Sequence, residues 1–291
     1  MLGRRRPLAP PPAHVRTTLP AVALLVACTQ PVAVAKYARA ADRTTQAFSG
    51  VAGEMTASCV RFERYKAERD GGGWDDDAAL RRRCAGRDSA VKNAVVASLV
   101  LREYFAALAN LAANQLVHYD ADVRALAQDV GDAGVDPARA RAVGDLAAFL
   151  ADAATGQYRR RELAQVVETE NESVLAVVDG LHAIVTEDYR LELEIERQAV
   201  NDYFHTAVAT DGAREPLAAM LVKNLRDDQI ATIATKESAL RSYARALARV
   251  RAGHQALYDA REELDAPALA NELAGYVTTI DDILAALRQA F

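Results

Sequence analysis

Apolar residues recur at steps of three and four along nearly the whole chain, the spacing that places them on one face of an α-helix. Phe48, Val51, Met55, Cys59 and Phe62 form one such row and predict a helix over 46–69. A shorter helix over 75–87 is expected next. Asp88 or Ser89 then caps a long apolar helix through Val91, Val95, Leu99, Phe105, Leu108, Leu111 and Leu116. Within it, Ala94 to Leu101 is apolar on every side and is expected to be the most buried segment. Arg102 and Glu103 interrupt that run well short of the ~20 apolar residues a membrane span needs, so it is not read as a second anchor. Val143, Leu146, Leu150, Ala153, Ala164 and Val167 carry the row to about residue 168. It weakens over 169–172, which predicts a turn or kink near Asn171, and resumes through Val174, Val178, Leu181, Val185, Ile195 and Phe204.

Proline marks where the later helices begin. Six of the nine prolines fall in the first 31 positions, leaving Pro137, Pro216 and Pro267 for the rest. Proline at the first helical position loses no amide hydrogen bond, so each of the three predicts a helix start. After Pro216, positions 233, 240, 247, 254 and 261 are Ile, Leu, Leu, His and Arg, and positions 236, 243, 250, 257 and 264 are Lys, Tyr, Val, Leu and Leu. That mixture suits the seam of a bundle and falls short of a dedicated coiled coil. A helix over 216–264 extends ~70 Å at 1.5 Å per residue. Alanine, the best helix former, supplies 62 residues and aromatics only 6%. The fold class is therefore all-α, an elongated up-and-down bundle of long antiparallel helices.

The amino terminus carries an address. Arg4, Arg5, Arg6 and Arg16, with no acid among them, precede the apolar run Leu19 to Ala27 and then Cys28. A basic segment, a short apolar core and small residues before a cut site describe a secretory signal. Leu25-Val26-Ala27-Cys28 resembles the lipobox of bacterial lipoproteins. The resemblance implies cleavage before Cys28, acylation of its thiol and new amino group, and anchoring in a membrane. Two or more acyl chains hold durably, at ~0.8 kcal/mol per buried methylene. Thr29 stands where an aspartate would retain the protein at the inner membrane, which implies an outer-membrane location facing the periplasm. An ordinary signal peptide cut after Ala33-Val34-Ala35 is the alternative, with a secreted or periplasmic product. The expected organisation is a signal peptide over 1–27, a tether over 28–45 and one helical-bundle domain over 46–291. That domain divides into disulfide-stapled helices over 46–131 and a long-helix region over 137–291.

Charge narrows the partners. The full chain has a net charge of −5, and residues 1–27 hold four arginines and no acid, leaving 31 basic against 40 acidic residues in the mature protein. That balance opposes binding to nucleic acid or to anionic lipid headgroups. Cys59 and Cys84 flank a polar turn containing Gly71-Gly72-Gly73 and, in an oxidising compartment, are expected to bond, stabilising the fold by about 3.5 kcal/mol. Separate buried thiols are the alternative. Arg159, Arg160 and Arg161 form a basic cluster with a possible role against a polyanion such as lipopolysaccharide phosphate, and Arg81, Arg82 and Arg83 form a second cluster. Most such runs are solvated faces.

No catalytic constellation emerges. Asp179 and His182, and Asp202 and His205, pair a carboxylate with an imidazole three positions apart, but 23 residues of helix separate the pairs by ~35 Å, so they cannot share a metal. His254 is expected to be a bundle histidine satisfied by a nearby carboxylate such as Glu262 or Glu263. No metal, cofactor or enzymatic activity is expected. The chain reads as a non-catalytic, membrane-anchored envelope lipoprotein acting as a scaffold or on a protein partner. The alternative is a periplasmic carrier enclosing an apolar or lipid-like ligand between helices.

Overall fold

The computed structural model describes residues 31–71, 76–115, 137–154, 162–211 and 215–287. Nine α-helices occupy them, and no strand occurs among the described residues. They are α1 (Val32–Gln46), α2 (Phe48–Arg69), α3 (Asp77–Arg83), α4 (Ala85–Ala112), α5 (Pro137–Ala154), α6 (Leu163–Ala183), α7 (Tyr189–Asp211), α8 (Pro216–Asp259) and α9 (Pro267–Leu287). Pro137, Pro216 and Pro267 each stand at the first residue of a helix, where the missing amide proton costs nothing.

Two junctions are helical and turn pairs of helices into long rods. Ala47, between α1 and α2, keeps right-handed helical angles. A π-helical turn, Ile184–Asp188, carries α6 into α7. The 44-residue α8, ~66 Å long at 1.5 Å per residue, runs antiparallel to both rods. Its register is fixed by Tyr37 against Val250 and Tyr243 against Thr44 on one side, and by Asn171 against His254 and Arg197 against Glu237 on the other. α4 runs back along α1 and α2, with Tyr37 meeting Phe105 edge to face at 6.0 Å and Thr56 bonded to Asp88 at 3.1 Å. α5 packs on α4 through Phe149 and Tyr104, and α9 reaches α1 through Arg43 and Asp281. The long helices alternate in direction apart from α4 and α5, which run the same way.

One apolar core extends from Val34 to Leu287. The anticipated seam of α8 is its spine: Ile233, Leu240, Tyr243, Leu247, Val250, His254 and Leu257 are all buried. A satellite core of Cys59, Val60, Leu80 and Cys84 fastens α3 to α2.

Three expectations change. Most of the segment expected as a tether, residues 28–45, is α1, with Val34, Tyr37, Ala38, Ala40 and Ala41 fully buried. Its alanines give little periodic signal on their own, yet they let neighbouring backbones approach closely. No kink occurs at Asn171; the pattern weakens there because Glu170 and Asn171 are polar residues turned into the bundle. The irregularity lies instead at the π turn. Burial in α4 is deepest past Val100, where Leu101, Tyr104, Phe105 and Leu108 are inaccessible, while Val95, Val96 and Leu99 are half-buried. By length and composition α4 could cross a membrane, but 56% of its apolar window is buried inside the bundle.

Gly253 permits a close approach of α1 to α8, because a Cβ there would overlap the Tyr37 ring. Gly253→Ala is expected to lower stability by roughly 2 kcal/mol or more through overpacking, measured as the urea midpoint by circular dichroism.

Candidate functional site

Polar side chains inside the bundle gather at two places. The first lies where α1, α4, α6 and α8 meet. His254, fully buried on α8, joins Tyr104 of α4 at 2.8 Å through Nε2 and Asn171 of α6 at 3.0 Å through Nδ1. The Asn171 amide oxygen only accepts, so Nδ1 carries the proton and Nε2 accepts from the Tyr104 hydroxyl. Burial drives the His254 pKa down to about 3 and keeps the ring neutral. Burial also raises the Tyr104 hydroxyl well above its ordinary range, with the Glu170 carboxylate adding to the effect. Glu170 itself is pushed up to about 7, by burial first and by Asp145 second. His254 is thus the expected bundle histidine, but its partners are a phenol and an amide from distant helices rather than Glu262 or Glu263.

The second cluster lies beside the π turn and ties α2, α7 and α8 together. Glu196, 1% exposed, accepts from Ser58 and receives the Arg61 guanidinium on both carboxylate oxygens. Arg61 also reaches Glu54, which accepts from Lys236 of α8. Burial alone would raise the Glu54 carboxyl, but Lys236 and Arg61 outweigh it and hold the pKa below its ordinary value. Glu192, one turn before Glu196, meets Arg87 of α4 at 2.6 Å. Burial nevertheless lifts it to about 7, with Arg87 opposing and Asp188 reinforcing the shift. His254 and Tyr104 of the first cluster are fully buried, whereas in the second Ser58 and Glu196 are buried and Arg61 and Glu54 remain partly exposed. Their arrangement sets helix register, since a buried charge is tolerated only where its partners come into place.

The structure brings together one pair of the residues anticipated from sequence. Cys59 and Cys84 are bonded, with an S–S distance of 2.04 Å and Cα atoms 6.1 Å apart. Cys28 and Arg159, Arg160 and Arg161 lie outside the described residues. Arg81, Arg82 and Arg83 are exposed on α3. Asp179 pairs with Arg251 at 2.8 Å and Asp202 lies 3.6 Å from Arg69, so both acids are engaged with arginines of other helices. Among the described residues no group of three metal-ligating side chains occurs. Glu196 and Arg61 were not anticipated, because 135 residues separate them and no local pattern links them. A cleft of about 490 Å³ opens where α1 meets α2, between Ala47, Val51, Leu284 and Leu287, with Arg43 and Asp281 at its edge. Comparison with protein-family models, with curated proteins and with solved structures finds no match.

The raised Glu170 carboxyl makes a signed prediction. Above about pH 4.5 the unfolded chain releases this proton while the folded chain keeps it, so this group's contribution to stability falls from pH 4.5 to about 7 and then levels off. Glu170→Gln is expected to raise stability at pH 8 by on the order of 1 kcal/mol and to change little at pH 4.5, read from thermal melts at the two pH values. His254 acts in the opposite sense: its contribution is complete above pH 6.5 and is lost as pH falls toward 3. His254→Ala is expected to cost roughly 2–4 kcal/mol at pH 7, by opening a cavity and leaving Tyr104 and Asn171 unpaired, and to weaken the acid-side loss in the same melts.

Proposed function

We propose that the chain is a lipoprotein of the bacterial cell envelope, acylated at Cys28, whose helical body serves as a non-catalytic scaffold or partner-binding element. The observation that carries this reading is where α1 begins. Cleavage before Cys28 leaves α1 whole. Cleavage after Ala35, the ordinary-signal alternative, would remove its first turn together with the fully buried Val34. Four residues from Cys28 to Val32 span at most ~14 Å, so an acyl group on Cys28 would hold the body close against its bilayer. Thr29 favours the outer membrane, facing the periplasm.

A scaffold role is supported by the long helices of the body and by its polar clusters, which tie helices to each other. The partner of such a body is a protein of the envelope rather than nucleic acid, in keeping with the excess of acidic residues. The carrier alternative would draw on the cleft at the α1–α2 junction, and lipid co-purifying with the mature body would favour it.

Cys28→Ser is expected to move the protein from the membrane fraction to a soluble one, with an unchanged helical circular dichroism spectrum. Retention of the variant in membranes at the wild-type level would overturn the anchor.

A further inference from the structure

A second cleft, of about 370 Å³, opens where α2, α4 and the π turn meet. Met55, Val91, Ile184 and Leu191 form its apolar wall, and Arg87, Asp188 and Glu192 supply its polar groups. An apolar lining with a few convergent polar groups, at this size, is the make-up of a small-molecule site. The π turn builds one whole side. It carries α6 into α7 so that Ile184, Asp188, Leu191 and Glu192 all line the cleft. Wide turns of this kind occur frequently at functional sites.

One buried atom of the cleft is unsatisfied. Glu192 is 8% exposed, and Arg87 holds only its Oε1, through Nε at 2.6 Å. Oε2 is buried and has no hydrogen-bond partner among the described residues. A buried carboxylate oxygen without a partner is costly, and a donor placed against it recovers that cost.

The charges of the cleft do not balance either. Asp188 is exposed and makes no ion pair among the described residues, and Arg87 is the one cation among the described lining residues. Two carboxyls therefore face one guanidinium. Burial raises the Glu192 carboxyl to about 7, with Arg87 opposing the shift and Asp188 and Glu196 reinforcing it.

A positive charge entering the cleft would supply what is missing. It would relieve the repulsion between Asp188 and Glu192, and its N–H groups would donate to Oε2 in charge-assisted hydrogen bonds. The four apolar side chains call for a hydrocarbon body behind that charge. A water molecule could satisfy Oε2, but it would neither balance the acids nor cover the apolar wall.

We propose that this cleft binds a small alkylammonium ion, with its nitrogen against Glu192 and Asp188 and its hydrocarbon chain along Met55, Val91, Ile184 and Leu191. The site goes beyond the scaffold reading and does not depend on acylation of Cys28.

The probe is hexylamine, with hexanol and hexanoate as controls of equal chain length, titrated calorimetrically into the full chain in a nonionic detergent. At pH 8 the amine is protonated and the solution is above the Glu192 pKa. Hexylamine is expected to bind roughly tenfold more tightly than hexanol, and hexanoate not at all. Glu192→Gln should bring hexylamine down to the level of hexanol and leave hexanol unchanged. Val91→Trp should remove both by filling the cleft, with the helical circular dichroism spectrum retained. Asp188→Asn, at an exposed position, should weaken hexylamine alone by about threefold, and it decides the matter if Glu192→Gln does not fold. Three results would each overturn the site: a folded wild-type chain that does not bind hexylamine, equal binding of hexylamine and hexanol, or hexylamine binding that neither acid substitution changes.

Discussion

Tyr37 lies against the α-carbon of Gly253, and its hydroxyl donates to the carbonyl of Val250. The close crossing of α1 and α8 depends on that contact. It brings Phe105 of α4 against the Tyr37 ring, and the preceding residue of the same helix, Tyr104, onto His254. His254 in turn holds Asn171 of α6. Four helices that are distant in sequence thus meet within two turns of α8, around polar groups that satisfy one another. A larger residue at 253 would push α1 outward, and the hydrogen bonds behind it would lose their geometry.

The second cluster does for the far half of the rod what His254 does for the near half. Glu196, Arg61, Glu54 and Lys236 link α2, α7 and α8 in a chain of charges, beside the π turn that joins α6 to α7. Apolar packing alone tolerates helices sliding by a turn. A buried carboxylate does not, because a slipped register leaves it without its guanidinium. The two clusters therefore impose one alignment on helices whose alanine-rich faces would accept several.

Toward its start α8 turns Leu217, Met220, Leu221 and Leu225 outward, while Val222 still packs against the core. The molecule thus has two dissimilar ends. At one, α1 starts four residues from Cys28 inside the packed core; at the other, leucines and a methionine face solvent.

Much of the architecture was legible from sequence. Three prolines located three helix starts, the heptad row from Ile233 to Leu257 located the spine, and Cys59 and Cys84 announced their bond, because each of these signals is local. The burial of residues 32–46 was not legible, since alanine serves equally on a surface and at a close helix crossing. Nor was the role of Glu170 and Asn171, which looked like a break in the pattern and proved to be polar groups turned inward. The pairing of Arg61 with Glu196 and of Tyr104 with His254 spans 135 and 150 residues. Periodicity determines which face of a helix is apolar; which helix that face meets, and which buried polar groups find each other there, is decided only when the whole chain packs.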